Sequence, residues 1–552
     1  MSLFKSKFLI LIVLVGVGLR FLGLNFGSPS LYVSNDEAIT QISAYTMIAQ
    51  KTIKSQSYYT PLSAYIQIPF IGFSYLYMKT MGNIHNIDEF RQFVITHEGY
   101  FLFIPRFYSA FFGTLTILLI YHLTKLLFEN KRIAMLAALL ASFSFNLVHM
   151  SHFARPWPEA MFFLLLALYF CLKRQFLWAF ICAIVSYGFL QIGIFSFPLI
   201  FLFFEKKYLR QFIIGLLLSA FSVLILSRLV LHSGFEDALL KLRPDSFIGA
   251  LFRHESGILA KLINNLTNPN LFFIIRSFAK TDFVILLFGT LSVFGFRTFS
   301  KQARLVFYFL IANFVFALFF LYPVLHYFNI AIFLLIPFAA FATWNGLKWR
   351  LLENSWPLKF FTLTVIFFVA GFNSFYWNYI FLKEPTFIQA RDWIARNINP
   401  REPIAYLGGR YQTFVPSKEA ILNGQKFQPN YYQEATVLSG NYLPNMRNIV
   451  YTAPAGGKTK MEKLNNATGD YPISYVIDYY YYPKDSIYSQ NPNLLKKVAT
   501  FSPLKSGLAY RGILPEALYE AASNFESYDN GETFSMYSLE RTGPYFDILK
   551  FK

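Results

Sequence analysis

What most constrains this chain is a repetition of apolar runs, each near the ~20 residues an α-helix needs to cross a hydrocarbon core. They occur near 8–26, 101–128, 133–149, 157–173, 211–231, 280–297, 303–322, 326–346 and 357–381. A further stretch, 176–204, is apolar but interrupted by Gly188, Gly193 and Pro198. Only 14% of the residues are charged, against about 25% in soluble proteins. An ordinary cytosolic enzyme and a disordered chain are both excluded, and a polytopic membrane protein is expected.

The 49 lysines and arginines exceed the 30 acids, giving +19. In a soluble protein that balance would suggest nucleic acid, but here the location of the charges decides otherwise. Basic clusters sit between the runs, at Lys5/Lys7, Lys125/Lys131/Arg132, Lys173/Arg174, Lys206/Lys207/Arg210, Arg297/Lys301/Arg304 and Lys348/Arg350/Lys359. Placing all of them in the cytoplasm satisfies the positive-inside rule and requires 176–204 to be two short spans. The count becomes eleven, with the N-terminus cytoplasmic and the C-terminus extracytoplasmic. Arg20 marks 8–26 as a retained span rather than a signal peptide. Residues 62–82 are apolar enough to span, but they would invert every later cluster. Pro69 and the neighbouring aromatics fit a helix lying in the interface.

The texture changes after Lys383: charge, Gly and Pro rise and short alternating strands such as 404–407 and 474–478 begin. The expected fold is an α-helical polytopic membrane domain over 1–383 followed by a soluble extracytoplasmic α/β domain over 384–552. The membrane domain carries a first outer loop at 27–100 and a long outer loop at 232–279. Cys171 and Cys182 both lie in apolar runs, so no disulfide framework is expected.

Acidic residues are almost absent from the expected spans, with Glu159 at the mouth of its helix as the exception. Coupled transporters need ionisable groups near the midplane, so chemistry is expected at the outer surface instead. Three constellations offer it. Asp36 and Glu37 follow the first span; one could act as a general base while the other orients it or binds a cation, or both could simply begin a helix. His149, His152, Arg155 and Glu159 share a short loop, where Arg155 could hold a lipid-linked phosphate and Glu159 a sugar hydroxyl. Two histidines three apart without a third ligand make a weak metal site. Arg106, His326 and Tyr327 stand at the outer starts of other spans, as phosphate contacts or interfacial anchors.

In order along the chain, Arg20-Phe-Leu-Gly-Leu with Ser34-Asn-Asp36-Glu37-Ala, Pro61-Leu…Tyr65 with Met81-Gly82, Arg106-Phe-Tyr-Ser-Ala-Phe-Phe-Gly113, and Ser151-His-Phe-Ala-Arg155-Pro…Glu159-Ala resemble the GT-C membrane glycosyltransferases. The resemblance is to the branch of dolichyl-phosphate-mannose protein mannosyltransferases and the lipid A aminoarabinose transferase. It implies transfer of a sugar from a polyprenyl-phosphate donor to a hydroxyl of a glycan, lipid or protein acceptor, at the outer face and with inversion. Asp36 then matches the family's essential base. Tyr59-Thr60 stand where many relatives carry a lysine, which leaves the phosphate to Arg155, Arg106 or His326. A divalent cation is the one cofactor admitted, membrane lipids are the surroundings, and no nucleic acid is involved. The alternative from another class is a lipid-linked sugar flippase or transporter.

Overall fold

The computed structural model describes residues 2–28, 35–55, 60–97, 99–229, 270–320, 328–348, 355–407, 414–418, 420, 446–452, 460, 462, 464, 472–480, 486–505, 539–541 and 543–552. Most of the expected long outer loop at 232–279 and the pair His326 and Tyr327 lie outside the described residues.

Up to Phe381 the described residues predominantly form helices. Among them are α1 (Ser2–Phe21), α2 (Asn35–Gln50), α3 (Leu62–Tyr65), α4 (Ile68–Thr80), α5 (Ile87–Thr96), α6 (Phe103–Phe128), α7 (Lys131–Phe143), α8 (Phe145–Met150), α9 (Trp157–Leu172), α10 (Phe176–Phe189), α11 (Ser196–Leu202) and α12 (Leu209–Arg228). Further along the chain come α13 (Asn270–Leu291), α14 (Lys301–Phe320), α15 (Asn329–Gly346) and α16 (Trp356–Phe381). Among the described residues, five helical segments are long and apolar enough to cross a membrane, within Tyr100–Phe128, Lys206–Arg228, Phe278–Thr298, Asn329–Gly346 and Trp356–Asn397. Shorter apolar helices cover 157–172, 176–189 and 191–202.

The hairpin turns between these helices carry the basic residues. Glu129 adopts a left-handed φ of 51° to end α6, and the Asn130 side chain accepts the N–H groups of Arg132 and Ile133 to start α7. Arg174 does the same turning at φ 61° between α9 and α10. At this end Arg132 and Lys348 both lie over the Trp344 ring, and Arg174 pairs with Glu205.

α4 is thirteen residues long, about 20 Å, well short of a ~30 Å hydrocarbon core. Phe70, Phe73, Leu76 and Tyr77 are exposed along it. Among the described residues it packs on α2 and α3.

The run at 133–149 is one uninterrupted apolar stretch in sequence, yet the structure breaks it at Ser144, whose ψ of 121° leaves the helical region. A break in a buried helix exposes carbonyls on one side and N–H groups on the other, and all need partners. Three distant elements supply them. Arg20 of α1 donates to the carbonyls of Ala141 (2.9 Å) and Ser142 (3.3 Å). Ser374 of α16 donates to Phe143 O at 2.8 Å. Asp282 of α13 accepts the N–H groups of Phe145 and Asn146 at 2.9 and 3.1 Å.

α6 passes this break at Gly113, where an added Cβ would stand 2.1 Å from Ser151 Oγ and 3.1 Å from its Cβ. Gly113→Ala is therefore expected to push the 151–156 loop outward and destabilise the protein by about 1–3 kcal/mol, the range for overpacking. Thermal unfolding in detergent would read this as a lower midpoint.

Beyond α16, helix α17 (Thr386–Asn397) leads into strands β1 (Ile404–Leu407), β2 (Val415–Pro416), β3 (Met446–Arg447), β4 (Ile449–Thr452), β5 (Tyr475–Tyr480), β6 (Leu495–Phe501) and β7 (Tyr545–Phe551). Five strands form one sheet in the order β4-β1-β5-β7-β6. β1 runs parallel to β4 and β5, while β7 is antiparallel to β5 and β6. α17 covers β6 and β7, which makes this a mixed α/β unit. Asp478 and Asp547 face each other across β5 and β7, an unfavourable pairing for like charges. Lys460 at Asp478, and Lys497, Tyr480, Ser486 and Thr500 at Asp547, satisfy them. Tyr406 is fully buried against Tyr479, and Tyr480 stacks on Tyr545. These tyrosines pack within the sheet.

Candidate active site

α2 starts at Asn35, so Asp36 and Glu37 occupy its first turn, where negative charge is favoured by the helix dipole. The Asp36 side chain lies outside the described residues. Glu37, by contrast, is wholly buried and held on every side.

Arg106, three residues into α6, makes a two-pronged pair with it: Nε donates to Oε1 at 2.9 Å and Nη2 to Oε2 at 3.0 Å. The backbone N–H of Ala154 also donates to Glu37 Oε1, at 2.8 Å. Arg106 Nη1 donates to the carbonyls of Leu24 (3.0 Å) and Phe26 (2.7 Å), and its guanidinium lies 4.1 Å over the Phe26 ring. A guanidinium has five N–H groups, and four are engaged within the protein. Such planar, fork-shaped donation suits arginine where lysine would fail. Thr40 adds a further link, its hydroxyl lying 3.2 Å from both Glu37 O and Ala154 O.

The turn after α1 is pinned to the same centre. Gly23 has φ +75°, and a Cβ there would come 2.8 Å from Phe381 Cβ, so this close turn admits glycine alone. Phe26 stacks on Phe381 with ring centroids 4.1 Å apart. His152 sets Nε2 against Leu22 O and Nδ1 against Val148 O, each at 2.8 Å. Burial pushes its pKa down to about 4, although the two carbonyls favour the protonated ring and oppose that shift. With both nitrogens facing carbonyls, His152 is a structural tie. Among the described residues, no three His, Cys, Asp or Glu side chains come together as metal ligands.

Arg155 is buried in the same loop, and Ser109 of α6 lies within hydrogen-bonding distance of both Arg155 O (3.1 Å) and Glu159 Oε1 (3.2 Å). Glu159 Oε2 has no hydrogen-bond partner among the described residues. The fold thus gathers Glu37, Arg106, Arg155 and Glu159 around the starts of α2, α6 and α9. It sets Arg106 to hold Glu37, a partnership across 69 positions that spacing does not reveal.

Sequence reasoning missed Asp282. It lies inside the 280–297 run as a buried carboxylate, at a kink with φ −132° and ψ 49°. The signal was available, because this is the one acid in residues 270–320, and a lone acid in an apolar helix demands a partner.

The family profile described as dolichyl-phosphate-mannose-protein mannosyltransferase matches residues 53–189. That segment contains Arg106, Arg155 and Glu159 but begins after Asp36. No curated protein matches the chain by sequence. Among solved structures, ArnT from Cupriavidus metallidurans bound to undecaprenyl phosphate is 12% identical, with a TM-score of 0.51 over 90% of this chain and 96% of that one. The Archaeoglobus fulgidus oligosaccharyltransferase in its apo form is 15% identical, with a TM-score of 0.46 over 86% of this chain and 69% of that one. The archaeal oligosaccharyltransferase AglB from the same organism, in complex with an inhibitory peptide and a dolichol-phosphate, is 14% identical, with a TM-score of 0.45. In sequence over 53–189 and in fold over most of its length, this chain resembles the GT-C membrane glycosyltransferases of the mannosyltransferase and ArnT-like branch.

Proposed function

We propose that the protein transfers a sugar from a polyprenyl-phosphate carrier to a hydroxyl acceptor at the extracytoplasmic face of a cell membrane, with inversion and with Asp36 as general base. The observation that carries this reading is the buried clamp of Glu37, Arg106 and the Ala154 N–H. It fixes the first turn of α2 against α6 and the 151–156 loop, at the end of the bundle opposite the basic turns. A base that must meet a hydroxyl within about 3 Å needs such a rigid mount.

The division of labour follows from the contacts. Glu37 and Arg106 position, since each is engaged by the other, and the chemistry is assigned to Asp36 beside them. A phosphate leaving group needs little protonation, so one base and cationic stabilisation of the departing oxygen are sufficient. Arg155 is the cation assigned to that phosphate, with His326 and Tyr327 as further contacts, and Glu159 is assigned to a sugar hydroxyl. The carrier phosphate sits at the headgroup level, which is why the site belongs at the end of the bundle and not in its middle. The soluble domain, continuous with α16 through α17, faces the same extracytoplasmic side and contributes to acceptor recognition.

Purified protein in nanodiscs, given a panel of radiolabelled polyprenyl-phosphate sugars and hydroxyl acceptors, is expected to release free polyprenyl phosphate with one of them. The product's anomeric configuration should be opposite to the donor's. Movement of intact lipid-linked sugar between leaflets, with no carrier released from any donor, would replace this reading with that of a flippase.

A further inference from the structure

We propose that Asp282 is a positioning residue: by capping the broken helix at Phe145 and Asn146, it holds the 151–156 loop that clamps Glu37 and so fixes the helix bearing Asp36.

α8 has six residues, about 9 Å of helix, too short to be stable or directed by itself. Its orientation is therefore set by what holds its ends. At its start, Asp282 Oδ1 accepts the Phe145 N–H at 2.9 Å and Oδ2 accepts the Asn146 N–H at 3.1 Å. The Asn146 amide also donates to Asp282 Oδ2 and to Thr281 Oγ1. Ser144 adds a local cap by accepting the Leu147 N–H at 3.5 Å, while the other distant side chains serve the opposite side of the break: Arg20 and Ser374 bind carbonyls at the end of α7.

At its finish, α8 runs directly into the loop where the Ala154 N–H reaches Glu37 Oε1. The same loop places Arg155 O beside Ser109 and His152 against Leu22 O. The connection is thus short and continuous, from Asp282 through α8 and Ala154 to Glu37 and the first turn of α2.

Asp282 is itself held in an unusual backbone state. α13 leaves helical geometry at this residue, and Asn373 of α16 donates to the two carbonyls beside it, Lys280 O at 2.7 Å and Thr281 O at 3.0 Å. A kink sustained by partners from two other helices is a local distortion that the surroundings impose. Here it aims a charged acceptor at an exposed helix start, where charge-assisted bonds are strongest.

The test uses the full chain in nanodiscs and hydrogen–deuterium exchange, which needs no substrate. Asp282→Asn keeps the size but presents an amide to an N–H. It is expected to raise exchange in peptides covering 151–156 and the start of α2 at least tenfold, with α12 and the soluble sheet unchanged. Asn146→Ala leaves both backbone bonds to Asp282 in place and is expected to stay within threefold of the parent. If Asp282→Asn does not survive purification, Asp282→Glu, which misplaces the same charge, carries the same expectation of local loosening. Unchanged exchange at 151–156 in a folded Asp282 variant, or equal loosening in Asn146→Ala, would overturn the proposal.

The consequence for turnover rests on the transferase reading: kcat falls at least tenfold while the donor KM stays within about twofold. The exchange result decides the mechanical link alone, so a parent protein that turns over no donor counts against the transferase reading and not against the clamp.

Discussion

Asp36→Asn is expected to abolish sugar transfer, lowering kcat by about a thousandfold while leaving a folded, membrane-inserted protein. Removing a positioned general base costs roughly 10²–10⁴ in rate, and the amide has the same shape as the carboxylate but no affinity for the acceptor proton. The structural penalty is small by comparison. A first-turn acid contributes about 0.3–1 kcal/mol through the helix dipole, which is a few degrees of melting temperature at most. Asp36→Glu should retain part of the activity, because the proton acceptor survives on a longer arm and only its placement suffers. The measurement is single-turnover transfer from the active donor across pH 5–9, with folding checked by size-exclusion profile and thermal unfolding. The acidic limb of the rate profile should disappear in Asp36→Asn, and full turnover in that variant would remove Asp36 from the chemistry.

Glu37→Ala is expected to fail in the opposite way, through stability. It strands the guanidinium of Arg106, which is 1% exposed, and takes the acceptor from the Ala154 N–H. Breaking one side of a buried ion pair costs about 3–5 kcal/mol, because the remaining charge is left uncompensated. Native stabilities are only about 5–15 kcal/mol, so this is a large fraction. The double variant Glu37→Leu with Arg106→Met should lose less than the sum of the two single changes, since it removes both charges together. It will not be neutral, because the carbonyls of Leu24 and Phe26 also lose their donor. Thermal unfolding of the four proteins gives the coupling directly. Neighbouring acids are thus expected to separate on two axes, with Asp36 governing rate and Glu37 governing stability. A Glu37→Gln protein of unchanged stability but no turnover would reverse that assignment.

Much of the architecture was legible along the chain because it depends on local pattern. Long apolar runs lead to helices whatever surrounds them, and the strands at 404–407 and 475–480 follow from short apolar segments in a more polar context. The turn chemistry was equally local: Asn130 caps α7, and basic residues gather at the turns on one side. The acid pair after the first run was also visible, as was its place in the first turn of a helix.

What the order of residues left open was which charged groups would meet. Arg106 offered itself as a phosphate contact, and only the fold shows its donors directed at Glu37, Leu24 and Phe26. The break at Ser144 was hidden inside a continuous apolar run, because a helix break in the interior depends on partners more than on its own residues. Those partners, Arg20, Asp282 and Ser374, lie more than a hundred positions away from the groups they bind. The order of residues alone marks the apolar segments that become helices, since hydrophobic transfer is a property of each segment. That Glu37 is the acid held by Arg106 and the Ala154 N–H emerges with the packing alone, since hydrogen bonds between buried groups exist only once distant helices have packed.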